Sequence, residues 1–203
     1  MTDLFAEKSA DFDLNPFVTR LSAAISDAMV DSLTLDATMN VLDFGAGTGL
    51  ISAKLAPLVS RIVAVDISPA MLAKLAAKPD LNGKVTTRCQ DLLTAPLAET
   101  FDVVVSAMAM HHIEDTRQLI HTLAAHLKPG GQIALADLDS EDGSFHPADT
   151  AGVFHHGFDR DNLRRLIENA GFSDIHFTTA HNAERENGVF PIFLVTARKK
   201  QST

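Results

Sequence analysis

The stretch Val41-Leu42-Asp43-Phe44-Gly45-Ala46-Gly47-Thr48-Gly49-Leu50 decides the fold. A short apolar run enters three glycines at alternate positions, and Thr48 to Pro57 then reads as a helix. Apolar run, glycine turn and helix together open a parallel α/β unit. Glycines at such a turn remove Cβ atoms, so a ligand can approach the backbone and the first N–H groups of the helix. Asp66 closes the next apolar run, Ile62 to Val65. An acid about 20 residues beyond the glycines can take both hydroxyls of a ribose. The dinucleotide fingerprint would put its last glycine at position 50, where Leu50 stands. Asp43 opens the turn; it would repel a phosphate and suits a cationic amine or a water held to one.

Working outward, Val103 to Val105 and Ile133 to Ala136 are further near-continuous runs, as expected of strands buried on both faces. Val85 to Arg88 is a weaker strand and is predicted at an edge. Helices alternate with these runs. Ser68 with Pro69 starts one through Ala77, Asp115 starts another that stops at Lys128-Pro129-Gly130-Gly131, and Asp159 opens one ending at Gly171. This alternation predicts a doubly wound α/β sheet. Ile175 to Thr179 and Val189 to Thr196 have no helix between them, which predicts a hairpin with one strand antiparallel at the sheet edge. Residues 1–36 read as helical, with Asn15 as N-cap and Pro16 in the first turn. Leu138 to Phe158 has no clear periodicity, and long loops of this kind are usually functional or disordered.

The 203 residues carry a net charge of -9 and one Cys. The length suits one domain. A single Cys excludes an internal disulfide and a Cys-rich metal site. Acidity argues against nucleic acid as partner. No apolar stretch approaches the ~18 residues of a membrane span, and no signal-peptide h-region is visible, so the expected compartment is the cytoplasm. With 12 Phe but no Tyr and no Trp, Tyr is excluded as a catalytic acid or base.

On these motifs the chain resembles the class I, Rossmann-like S-adenosylmethionine-dependent methyltransferases of the small-molecule type. The likeness covers Asn40 to Asp137, and the tail fits the family's final hairpin. It implies a seven-stranded, mostly parallel sheet with an antiparallel C-terminal hairpin in a three-layer αβα sandwich. It divides the single domain into a helical cover (1–36), a cofactor-binding half (40–137), an active-site loop (138–158) and a final helix with hairpin (159–203). The implied cofactor is S-adenosyl-L-methionine, with S-adenosyl-L-homocysteine as product. Asp43, Gly45, Ala46, Gly47, Thr48 and Gly49 would surround its methionine moiety. Asp66 would bind the ribose, Ile67 would pack on the adenine, and Met71 joins the set. Asp91 would accept from the adenine amino group with Leu92 beside it, and the backbone at Ser106 and Ala107 would line the amino group. Leu127 to Gly131 resembles the family's turn before the fifth strand.

For the acceptor, the aromatic turn used on exocyclic base amines is missing, because Ser106-Ala107-Met108-Ala109 stands there. Cys89 lacks the context of a nucleophile and reads as a small buried residue. No acid follows the fourth strand, as the metal-dependent catechol type would need, and no metal is expected. His111 and His112 are candidate catalytic bases, with His156 a third. In the long loop, Asp137, Asp139, Glu141, Asp142, His146, His155 and His156 admit three readings: a metal site, an acid-rimmed pocket for a cationic or hydrogen-bond-donating molecule, or a solvated lid hinged at Gly143, Gly152 and Gly157. Asp137, Asp139, His146 and His155 are the candidate substrate contacts, with Phe12 from the helical cover. One of His155 and His156 is expected to face the pocket and the other to hold the loop. Simple core packing is the alternative and favoured reading of Phe12, Phe17 and Leu21. The competing functions are a nicotinamide-dependent oxidoreductase, a methyltransferase-fold scaffold without catalysis, and a protein methyltransferase. The acceptor atom and the oligomeric state stay open.

Overall fold

In a computed structural model, residues 3, 5–147 and 149–201 are described. Met1, Thr2 and Leu4 of the predicted cover, Ala148 of the loop, and Ser202 and Thr203 lie outside them. The chain begins with a short helix α1 (Ala6–Ser9), a 3₁₀ turn at Phe12–Leu14 and α2 (Pro16–Ser32). Asn15 caps α2 by accepting the Phe17 N–H, and Pro16 fills the position whose N–H would have no partner. Then follow β1 (Asn40–Phe44), α3 (Leu50–Leu55), β2 (Arg61–Asp66), α4 (Pro69–Ala76), β3 (Val85–Cys89) and β4 (Phe101–Ala107). The second half runs α5 (Thr116–Ala125), β5 (Leu127–Leu138), α6 (Arg160–Asn169), β6 (Phe172–Arg185) and β7 (Gly188–Lys199). Ser68, Asp115 and Asp159 cap α4, α5 and α6 through their side chains, as their positions predict.

The seven strands form one sheet in the order β3-β2-β1-β4-β5-β7-β6. The first five are parallel, with Leu42 opposite both Val63 and Val104. Neighbouring strand residues point to opposite faces. Val41, Val103 and Val105 meet Leu21, Ile25, Met29 and Leu55 from α2 and α3 on one side. Leu42, Val104, Ile133 and Leu135 meet Leu119, Leu123, Leu163 and Ile167 from α5 and α6 on the other. Two apolar faces therefore demand two helical layers, which gives the αβα sandwich.

Three expectations need correction. The antiparallel strand is β7, and it lies inside the sheet between β5 and β6 rather than at the edge. Its Phe193, Leu194 and Val195 are fully buried, which an edge would not provide. Lys128 to Gly131 does not lie outside the sheet; it belongs to β5, where the register against β4 shifts between Phe101 and Val103. Cys89, at the end of the edge strand β3, is exposed rather than buried, because the sheet has no neighbour on that side.

The loop from Leu138 to Phe158 is closed at its base. The Phe158 N–H donates to the Leu138 carbonyl at 2.9 Å and the Ser140 N–H to the Phe158 carbonyl at 3.1 Å. Gly157 sits in this pinch at φ +73°, and a Cβ there would lie 2.0 Å from the Asp139 carbonyl oxygen. It is a point of backbone contact rather than a hinge.

Candidate active site

The parallel strands β1, β2, β3 and β4 all end at one edge of the sheet, where open α/β sheets hold ligands. A cavity of about 680 Å³ opens there. One wall is made by residues following β1, β2 and β3. Asp43, Gly45, Ala46, Gly47 and Thr48 line it, as do Asp66, Ile67, Met71, Asp91 and Leu92. Gly49 lies just behind, at φ +80° before α3.

The glycine loop is held closed by its own backbone. Gly45 and Ala46 both donate to the Val65 carbonyl, and Gly49 donates to that of Ala46. Gly47 donates to Oδ2 of Asp66 at 2.8 Å. Those N–H groups are therefore engaged within the protein, so the loop offers little to a pyrophosphate. The acids reinforce this. Asp43 is buried, and Ser52 donates to its Oδ2 at 2.6 Å. Burial pushes its carboxyl up to about 7 against that hydrogen bond, and the negative Asp66 adds to the rise. Asp66 is also raised by burial, while N–H groups of Ser68 and Gly47 oppose the shift. Beyond it Ile67 is 52% exposed, an apolar side chain lying open to the cavity. Asp91 accepts from the Leu93 N–H at 2.9 Å and the Thr94 hydroxyl at 3.1 Å, and Leu92 is buried beside it. The N-terminal segment roofs this wall: Thr48 donates to Asp13, and Ser68 donates to Asp3.

The opposite wall starts where β4 ends. Met108 has φ +54°, rare for a residue with a side chain, and its N–H donates to the Ala136 carbonyl at 2.9 Å. This bend turns the 3₁₀ segment Met110–His112 into the cavity. His111 is buried and meets Asp137, itself fully buried, with Nδ1 2.7 Å from Oδ1. The His111 N–H reaches the same carboxylate at 3.2 Å, and Leu138 donates to it at 2.8 Å. On its far side His111 Nε2 lies 3.2 Å from Nε2 of His146. His112 lies 2.6 Å through Nδ1 from the Gly152 carbonyl, which only a donor Nδ1–H can satisfy, so Nε2 keeps its lone pair in the neutral ring. Burial holds His112 and His146 down to about 4, with the neighbouring His111 lowering each further. Asp137, His111 and His146 thus form a hydrogen-bonded line from the sheet to the cavity surface. Among the described residues no cluster of His, Cys, Asp or Glu has the arrangement of a metal site, and no helix is long and apolar enough to cross a membrane.

Phe12 and Ala107 line the cavity, together with His111, His112 and His146. Asp137 stands behind His111 rather than on the surface. Four further sequence assignments are corrected. Ser106 does not line the cavity; its hydroxyl is buried without a partner among the described residues, and Ala107 to Ala109 take the place expected for it. Asp139 forms two hydrogen bonds to Arg160, at 2.7 and 2.6 Å, outside the cavity. His155 donates from Nε2 to the carbonyls of Ile113 and Glu114, pinning the loop to the segment before α5. His156 does not face the cavity: its side chain is 62% exposed and lies 3.6 Å from Glu141. The sequence reading missed Phe145, Lys8 and Arg185, which also line the cavity. Arg185 ends β6, where nothing local distinguishes it from the other polar residues of that strand.

The chain matches the methyltransferase domain family over residues 14–176. An uncharacterized methyltransferase of Schizosaccharomyces pombe is 36% identical over 153 residues, 67% of this chain and 54% of that protein. A ubiquinone biosynthesis O-methyltransferase of Xanthomonas axonopodis pv. citri is 35% identical over 109 residues, 52% of this chain and 45% of that one. The chain spans about half the length of these curated relatives. Among solved structures, the N-methyltransferase NodS of Bradyrhizobium japonicum in complex with S-adenosyl-L-homocysteine superposes with a TM-score of 0.71 at 17% identity, covering 98% of this chain and 99% of that one. With the seven-stranded sheet, the closed glycine loop and the family match in agreement, the chain belongs to the class I S-adenosylmethionine-dependent methyltransferase family.

Proposed function

We propose that this chain moves a methyl group from S-adenosyl-L-methionine to a protic heteroatom of a small-molecule acceptor, and that the line Asp137–His111–His146 receives the proton released there. The observation that carries the reading is that this line ends in the same cavity as the glycine loop and Asp66. The wall fits the cofactor. Asp66 would take the ribose hydroxyls with lone pairs not used by Gly47 and Ser68. Ile67 and Leu92 would sandwich an adenine, and Asp91 would accept from its amino group. The backbone at Gly45 and at Ala107 would border the methionine end. When bound, the cofactor supplies a methyl already activated on a sulfonium.

The protein's own work is then placement, exclusion of water and proton removal. The residue 1–36 cover and the 138–158 loop would exclude water. His146 and His112 are neutral at pH 7 and can each accept a hydrogen bond from an incoming O–H or N–H. A proton passed from His146 to His111 is stabilised by the buried Asp137 carboxylate, a role typically worth about 10²–10⁴ in rate. The ubiquinone O-methyltransferase relative and the net charge of -9 favour a small acceptor over nucleic acid.

Calorimetry tests the cofactor assignment. S-adenosyl-L-homocysteine is expected to bind at micromolar Kd and NAD not at all, with Asp66→Ala weakening the former by about 10- to 100-fold. NAD binding in its place, or an unchanged Asp66→Ala affinity, overturns the reading.

A further inference from the structure

Resting on that methyl-transfer reading, we propose that Arg185 is the specificity-determining residue for an anionic acceptor, one carrying a carboxylate on an apolar, ring-sized body. One of the three readings that the sequence left open for the loop was an acidic rim selective for a cationic or hydrogen-bond-donating molecule. The structure shows those acids already engaged. Asp137 holds His111, Asp139 holds Arg160, Glu141 accepts the N–H groups of Gly143 and Phe145, and Asp142 accepts that of Ser144.

Arg185 is the reverse case. Its guanidinium lies 4.5 Å from the Phe17 ring centroid and 4.2 Å from that of Phe145. The two rings, inclined at 49° to one another, flank the guanidinium, and cation–π attraction helps to hold it in place. The edge of a guanidinium carries five N–H donors suited to a bidentate carboxylate. Among the described residues the Arg185 guanidinium makes no hydrogen bond and no ion pair, although it lines the cavity. Arg185 is an exposed residue at the mouth of the cavity, and partial burial of its guanidinium lowers its basicity with no acid opposing it. Asp11 reaches the same cavity without pairing to it. Lys8 adds a second cation near His112 and His146.

The cation and the histidines border one stretch of apolar wall. The Phe145 ring, which stacks on Arg185, is 4.9 Å from the His146 ring. Phe145 thus borders both the Arg185 guanidinium and the His146 imidazole. A molecule with a carboxylate at one end and a hydroxyl or amine one ring away would reach both. The surfaces between them, Phe17, Ile113 and Phe145, are apolar.

The test compares two probes of nearly equal shape and different charge, 4-hydroxybenzoate and 4-hydroxybenzamide. Binding is measured by titration calorimetry on the protein saturated with S-adenosyl-L-homocysteine, whose own binding is measured first. Failure of that first step counts against the cofactor reading, and the probes are then compared on the protein without it. The acid is expected to bind at least about tenfold tighter than the amide, and Arg185→Gln to remove the difference while leaving S-adenosyl-L-homocysteine affinity unchanged. Arg185→Lys, which keeps charge but not the fork, should restore only part of it. Equal binding of the two probes, a preference that survives in Arg185→Gln, or no binding of the acid at about 10 mM overturns the proposal.

Discussion

The wall built from residues 43–48, 65–67, 71 and 90–92 and the wall built from residues 5–18, 107–113, 145–147, 150 and 185 enclose one cavity, yet they differ in construction. The first comes from successive strand ends of a parallel sheet, with its polar groups tied to one another by backbone hydrogen bonds. The second gathers side chains from four distant parts of the chain around three imidazoles, two phenyl rings and one arginine. The first is acidic and the second carries the cations and histidines. On the proposed reading, the contrast places cofactor recognition in local backbone geometry and acceptor recognition in tertiary packing.

The largest expected effect is where the two walls touch. Gly45 has φ +67°, and a Cβ on it would lie 2.3 Å from the Cβ of Ala109. Gly45→Ala should therefore force the walls apart and lower S-adenosyl-L-homocysteine affinity by more than about 100-fold. Adding Ala109→Gly removes the opposing carbon and should recover a part of it. A single variant with wild-type affinity by calorimetry would mean the walls are not in contact there.

A medium effect separates the walls by pH. Asp43, raised to about 7, contributes stability that is fully present below its unfolded value of 3.8 and is lost as pH rises through about 7. His112 and His146 are lowered to about 4, so the unfolded chain takes up their protons first as pH falls. Their contribution is complete above the unfolded value of 6.5 and declines toward pH 4. Urea unfolding between these limits should show the opposed slopes. Asp43→Asn should make stability rise more steeply with pH, and His112→Gln should make it rise less. An Asp43→Asn profile parallel to wild type would break the comparison.

The smallest effect sharpens its boundary. His156 belongs to neither wall, so His156→Ala should leave turnover within about twofold and stability within about 0.5 kcal/mol. A tenfold loss of turnover in a methyl-transfer assay would move the acceptor wall to include it.

The same contrast explains what could be read in advance. Gly45, Gly47, Asp66 and the apolar runs are local signals, because strand periodicity and turn chemistry depend on near neighbours. His111, His112 and His146 were visible as residue types, but their line to Asp137 depends on β4 and β5 lying side by side. His155 and His156 stand together in sequence and apart in role. One is turned inward to the carbonyls before α5 and the other outward, a difference decided by where the loop is pinched. Arg185 had no local mark at all, since its partners Phe17 and Phe145 reach it only through tertiary packing.

The position of β7 has a kinetic consequence. It follows β6 along the chain but occupies the slot between β5 and β6. The open side of β5 therefore stays unpaired until Gly188–Lys199 has been made, and β6 has no strand to pair with before then. Arg185 pairs with Gly188 at the tip of that hairpin. During synthesis the cofactor wall can form from segments already present, and the residue that would read the acceptor arrives with the strand that closes the sheet. On the reading that Arg185 selects the acceptor, selectivity would be a late product of folding.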